Sequence, residues 1–239
     1  MPSHWQKRAL KIRGFLNQVY SFLTLRYTGF NRRQLQSAIR AKKIKRLHVG
    51  CGDVLLDGWL NIFYERREAY GILKEDKGKL FLNYNLLKSW PVDDDSVQFI
   101  AGSHFIEHLD LNHGIRFLKE SFRVMKKSGV IRLSCPDMEL YARHYVNRNK
   151  DFFDQPLIRE WCTFKNAQTP GEIFIAKAYD SGGSHQWFYD FESLKHVLEL
   201  AGFKDVKRLA RLEGQVPDLN LIEPALRELE SVYVEARKL

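Results

Sequence analysis

The chain has 239 residues, 44% hydrophobic and 28% charged, enough to bury a full core and too apolar to remain disordered. No apolar run reaches the ~18 residues that span a bilayer. Three scattered cysteines, Cys51, Cys135 and Cys162, form no Cys-x-x-Cys pair, which excludes a disulfide framework or thiolate zinc site and fits a reducing, cytoplasmic setting.

The net charge of +9 is lodged at one end. Twelve of the 38 Lys and Arg precede Asp53, the first acid, leaving 26 cations against 29 acids in a mildly acidic body. The cationic arm "HWQKRALKIRGFLNQVYSFLTLRYTGF" spaces Trp5, Ala9, Ile12, Leu16, Val19 and Leu23 as on a helix, with Lys7, Arg8, Lys11 and Arg13 near its start. Three readings stand for it: a helix packed on the core, an amphipathic helix on an anionic membrane, or a cleaved organelle presequence. A second short helix follows in "NRRQLQSAIRAKK".

From Ile44 onward strands and helices alternate. "IKRLHV" is a strand ending in glycine, "WLNIFY" a second strand, "EAYGILKED" a weak helix and "KLFLNYNL" a third strand. "VQFIAGSH" is the fourth, and "NHGIRFLKESFRVMKKSG" is an amphipathic helix closed by Gly129. "VIRLSCPD" is the fifth strand and "MELYARHYV" a helix. Residues 147–184 read as irregular. "DFESLKHVLELAG" is a capped helix, and "FKDVKRLA" and "SVYVEARK" are strands. Such alternation predicts an α/β fold with a doubly wound, mostly parallel sheet. Ligands of these sheets bind beyond the carboxyl ends of the strands, where strand order reverses. That rule gathers Gly50, Gly52, His104, Glu107 and His108 around one crevice.

Five blocks carry a family resemblance: "LHVGCG" with "DGWLN", "WPVDDDSVQFIAGSHFIEHL", "FLKESFRVMKKSGVIRLSCPD", "HQWFYDFESLKHVLELAGF" and "SVYVEARK". In this order they make the chain resemble a class I S-adenosylmethionine (SAM) dependent methyltransferase. The likeness is to the type 11 group associated with polysaccharide and cell-surface glycan biosynthesis. It spans roughly Lys45 to Lys238 and implies a seven-stranded Rossmann-like sheet with an antiparallel last strand. It implies a catalytic domain over 44–239, with 147–185 as a lid on the acceptor side, which leaves residues 1–43 as the basic helical extension read from charge and spacing. SAM is the implied cofactor, held at Gly50, Cys51, Gly52, Phe63, Glu65, Asn85 and Ser103.

Three family acids are replaced here. The ribose acid falls on Phe63, the acid near adenine on Asn85, and a third on Gln98. A charged hydrogen bond contributes about 1.5–3 kcal/mol, so loss of the ribose acid alone weakens SAM roughly ten- to a hundred-fold. Glu65, two residues beyond Phe63, shares its face if the strand continues. Asn85 retains a carbonyl acceptor for the adenine amine, and Phe63 can stack on adenine.

Methyl transfer to a hydroxyl is an in-line displacement that needs positioning and a base. His104 is the first candidate base, Glu107 and His108 follow, and His185 enters from the lid. No metal is assigned: "HFIEH" matches a zinc-protease pattern, but His104 ends a strand and cannot share a helix face with His108. "DDD" at 93–95 reads as a solvated turn rather than a metal site. The expected acceptor is a hydroxyl of a sugar or glycan intermediate. Residues 1–40 are the expected contact with an anionic membrane. A nucleic-acid methyltransferase using the arm ranks behind, because the acidic body has no base-recognition motif. A catalytically degenerate binding or scaffold protein is the rival from another class.

Overall fold

The computed structural model describes residues 32–65, 70–160, 162, 164–179 and 185–239. The amphipathic pattern over residues 5–23 lies outside the described residues. The second helix of the arm is present as α1 (Arg32–Ala41), whose Leu35 and Ile39, one turn apart, are buried in the main core. Its polar face is tied down as well: Arg40 and Gln36 both hydrogen-bond Asp93 at 2.6 Å, and Arg32 donates to Trp90 O at 3.0 Å.

Eight strands form one sheet: β1 (Arg46–Val49), β2 (Leu60–Phe63), β3 (Leu73–Asp76), β4 (Lys79–Asn83), β5 (Val97–Ser103), β6 (Met125–Pro136), β7 (Lys204–Leu209) and β8 (Ser231–Arg237). Their order is β3-β4-β2-β1-β5-β6-β8-β7. The run from β4 to β6 is parallel, and β8 is antiparallel to both its neighbours. Winding proceeds outward from β1 in both directions, so the order reverses between β1 and β5.

Alternation along β1 and β5 sends Leu47, Val49 and Ile100 to one face and His48 and Ala101 to the other. The first face carries the main core, with Phe117, Leu118 and Val124 of α2 (Leu111–Val124) and Leu194, Val197 and Leu198 of α7 (Phe191–Leu200). Side-chain caps from Asp110 and Asp190 start these helices. The second face is covered by Leu56, Trp59 and Val216, and by Leu219 and Ile222 of the one-turn α8 (Leu219–Ile222).

Three elements differ from expectation. The weak helix in "EAYGILKED" gives way to β3, making eight strands instead of seven. Lys77 and Gly78 both have positive φ (48° and 81°), and Asp76 pairs with Lys79. Two such residues make the tight turn whose twist suits a hairpin, so β3 folds back on β4. Helix α2 stops at Val124, five residues short of Gly129, because Asp95 and Ser96 N–H groups take the carbonyls of Arg123 and Val124 (3.1 and 2.9 Å). Gly129 serves close approach instead: a Cβ there would lie 2.4 Å from Met125 Cγ.

The supposedly irregular stretch, finally, holds α4 (Lys150–Phe153), α5 (Pro156–Glu160) and α6 (Pro170–Ala178), following α3 (Met138–Val146). They close around a satellite core of Tyr141, Phe152, Phe153, Ile158, Cys162, Ala167 and Ile173. A Thr169–Glu172 capping box with Pro170 at the first helical position starts α6.

Candidate functional site

The glycine turn follows β1. Gly50 and Gly52 have φ of +64° and +51°, the left-handed region that favours glycine. Their surroundings differ. A Cβ on Gly50 would stand 2.5 Å from the Phe105 ring, whereas a Cβ on Gly52 would meet nothing within 4 Å. Only Gly52 therefore leaves its backbone open to a ligand, since Phe105 fills the space beside Gly50. Cys51 between them is buried, donates its N–H to Ile62 O at 3.2 Å, and has its thiol pushed up to about 12 by burial. It is a packing residue, not a nucleophile. The segment after the turn is held by buried Asn61, which accepts from Leu56 N–H and donates to Leu56 O and Leu80 O at 2.8–2.9 Å.

Across the reversal, β5 ends at Ser103, whose hydroxyl accepts from Ser134. His104 follows at φ +50°, an uncommon conformation for a histidine, fixed by its N–H donating to Ser134 O at 2.8 Å. Its Nε2 lies 2.8 Å from Ser231 Oγ and its Nδ1 lies 3.3 Å from Glu107 Oε1. Both ring nitrogens thus face protein groups. The next residues form a single 3₁₀ turn, Ile106–His108.

Glu107 in that turn is 1% exposed, and His104 Nδ1 approaches its Oε1 without hydrogen-bond alignment. Among the described residues neither carboxylate oxygen has a hydrogen-bond donor. Burial raises the Glu107 carboxyl, but His104, His108 and His185 together hold it below its ordinary value. The His108 and His185 rings meet edge to face at 4.9 Å between centroids. Buried His185 is set against Lys177 O, 3.0 Å from its Nδ1, and burial lowers its pKa.

Two supporting residues were not among those expected from sequence. Lys177 of α6 is 2% exposed and its Nζ lies 2.7 Å from Glu230 Oε2. Fully buried Glu230 also binds Arg227 at 2.6 Å and accepts from Tyr141 at 2.8 Å. Burial raises this carboxyl, and Lys177 with His104 and Arg227 overcomes that to hold it at about 2. Glu230 immediately precedes Ser231, so one network ties β8, α6 and His104 together. A lone lysine in the apolar run "EIFIAKAY" is the one clue that sequence offered.

The remaining predicted residues are placed as follows. Phe63 ends β2 and is 39% exposed. Strand pairing stops there, and the Asn83 side chain bridges the Glu65 backbone N–H and C=O at 2.9 Å each, so Glu65 does not continue the strand. Asn85 Oδ1 accepts from Leu87 N–H at 2.9 Å, closing its own turn. Gln98 lies near the amino end of β5, donating to Ser128 O at 3.2 Å, remote in register from Ser103. The three aspartates pair with separate cations: Asp93 with Arg40, Asp94 with Arg123, and Asp95 with Lys238.

No protein-family model matches the chain, and no curated protein matches it. Among solved structures it is similar to a SAM-dependent methyltransferase from Archaeoglobus fulgidus, at 19% identity over 92% of this chain and 100% of that one, with a TM-score of 0.45. It is also similar to a SAM-dependent methyltransferase, possible histamine N-methyltransferase, from Thermotoga maritima (16% identity, 93% and 99% coverage, TM-score 0.47). A third similar structure is an S-adenosylmethionine-dependent methyltransferase from Mesorhizobium loti (14% identity, 84% and 96% coverage, TM-score 0.44).

Proposed function

We propose that this protein is a SAM-dependent methyltransferase that acts on a hydroxyl group, with a sugar or glycan intermediate as the acceptor class. The observation that carries the reading is the open backbone at Gly52, at the carboxyl end of β1 where strand order reverses. Gly52 and the flanking turn would hold the donor, and Phe63, exposed beside them at the end of β2, offers an aromatic face to its base. When bound, SAM supplies an electrophilic methyl carbon on a sulfonium.

The chain's own work is then to orient the acceptor and receive its proton. The imidazoles of His104, His108 and His185 are gathered round the buried Glu107 carboxylate, and an imidazole is the kind of proton acceptor that this step needs. The acceptor class rests on the sequence resemblance.

The test is calorimetry and thermal unfolding with SAM and its product S-adenosylhomocysteine. Saturable binding, with a melting temperature that rises with cofactor concentration, is expected. Gly52→Ala should weaken cofactor binding at least tenfold in a chain that still folds. No heat and no shift at millimolar cofactor would instead assign the chain to the degenerate scaffold class, for which the Phe63, Asn85 and Gln98 replacements speak.

A further inference from the structure

We propose that Glu107, His108 and His185 form a binding site for one divalent transition-metal ion of the zinc type. One ligand atom from each residue lies within 4.8 Å of the other two. A tetrahedral ion with bonds of about 2.0–2.1 Å needs its ligand atoms roughly 3.3 Å apart, so side-chain adjustments of about 1 Å complete the set. Two imidazoles and one carboxylate are a donor set that suits zinc and its neighbours and leaves at least one position open.

Three further features point to an ion. Both oxygens of Glu107 are buried without a hydrogen-bond donor among the described residues, His104 Nδ1 standing 3.3 Å from Oε1 but not aligned to donate, a costly state for a carboxylate unless a cation completes it. The distant segment carrying His185 is fastened against the 3₁₀ turn, because Gln186 and Trp187 donate their N–H groups to Glu107 O at 2.8 and 3.2 Å. The ligands from the two segments are therefore brought together by backbone bonds before any ion arrives. Last, His185 Nδ1 faces Lys177 O at 3.0 Å, and a proton on that nitrogen leaves Nε2 as the ligand atom. Such carbonyl partners orient metal-binding histidines.

The site uses neither Gly52 nor the glycine turn, so donor binding does not depend on it, but it takes His108 and His185 out of the proton-accepting role they have in the methyl-transfer reading. With the ion in place, His104 is the remaining imidazole of the cluster, its ring nitrogens set against Ser231 and Glu107.

The experiment titrates Co²⁺ into the untagged full-length chain, stripped with a chelator, with neither donor nor acceptor present. Visible d–d absorption should saturate at one equivalent and be lost on adding one equivalent of Zn²⁺. Hundredfold excess of Zn²⁺ over its Kd should raise the melting temperature by about 5–10 °C. His108→Ala and His185→Ala should each weaken Co²⁺ by about a hundredfold or more, while His113→Ala, whose imidazole pairs with Asp110, should leave it unchanged. No saturable absorption in the wild type overturns the proposal, as does retention of the band in either folded variant. If one variant does not fold, the other decides. A failure to bind S-adenosylhomocysteine would bear on the methyl-donor reading alone.

Discussion

A methyl group at Gly50 would be driven into Phe105, while one at Gly52 would enter open space. Both positions carry the left-handed backbone penalty of about 1–2 kcal/mol for a non-glycine residue, but only Gly50 adds overpacking, about 1–3 kcal/mol more. Gly50→Ala should therefore cost about 2–5 kcal/mol of stability and Gly52→Ala about 1–2 kcal/mol, read as shifts in denaturant midpoint. Equal losses would mean that Phe105 moves aside. The sequence announced the turn, because glycine after a strand of "LHV" type has few other uses. It could not announce Phe105 as the occupant, since that contact joins two loops fifty-five residues apart. The same limit hid Lys177 and Glu230: an ion pair between distant segments leaves no periodic trace. His104, Glu107 and His108 were legible because they sit together in the chain. His185 was a candidate through the lid segment, and only the fold brings it beside His108.

At the scale of elements, periodicity worked wherever an element buries one face. Helices α2, α3 and α7 and seven strands follow their patterns. It failed at β3, a short edge strand with exposed residues Lys74, Glu75 and Asp76, where the Lys77–Gly78 turn was the better signal. The helices α4, α5 and α6 were missed because each is only four to nine residues long and buries its side chains in a small separate core.

Helix α1, at the end of the cationic stretch, is part of the body, since its Leu35 and Ile39 belong to the main core. Ile39→Ala should cost about 2–4 kcal/mol, whereas Ile175→Ala at an exposed site on α6 should stay within about 0.5 kcal/mol. Urea unfolding of the two variants provides the comparison. An unchanged midpoint for Ile39→Ala would place α1 outside the cooperative unit.

Over the whole molecule, three buried groups give the fold one direction of pH dependence. His48 and His185 have lowered pKa values because burial disfavours their charged forms, so the unfolded chain binds protons that the folded one refuses. Stability is lost on this account as pH falls below about 6.5. Glu230 is held at about 2 against an ordinary 4.5, so its contribution is complete above pH 4.5 and disappears as pH falls towards 2. Its loss is on the order of 3 kcal/mol. Denaturant midpoints measured from pH 8 to pH 3 should fall throughout the acid range, most steeply below pH 4.5. Glu230→Gln should flatten the lower part. A midpoint that rises on acidification would contradict the assignment.

Strand β8 is made after β7 and every other strand, yet it lies between β6 and β7. The residues just ahead of it, Glu230 and Ser231, hold Lys177 and His104. While a ribosome is still synthesising this chain, β6 therefore has an unsaturated margin, and the histidine cluster has no partner from the tail. An unpaired strand edge of this kind is a template for pairing with another chain, and β8 removes it.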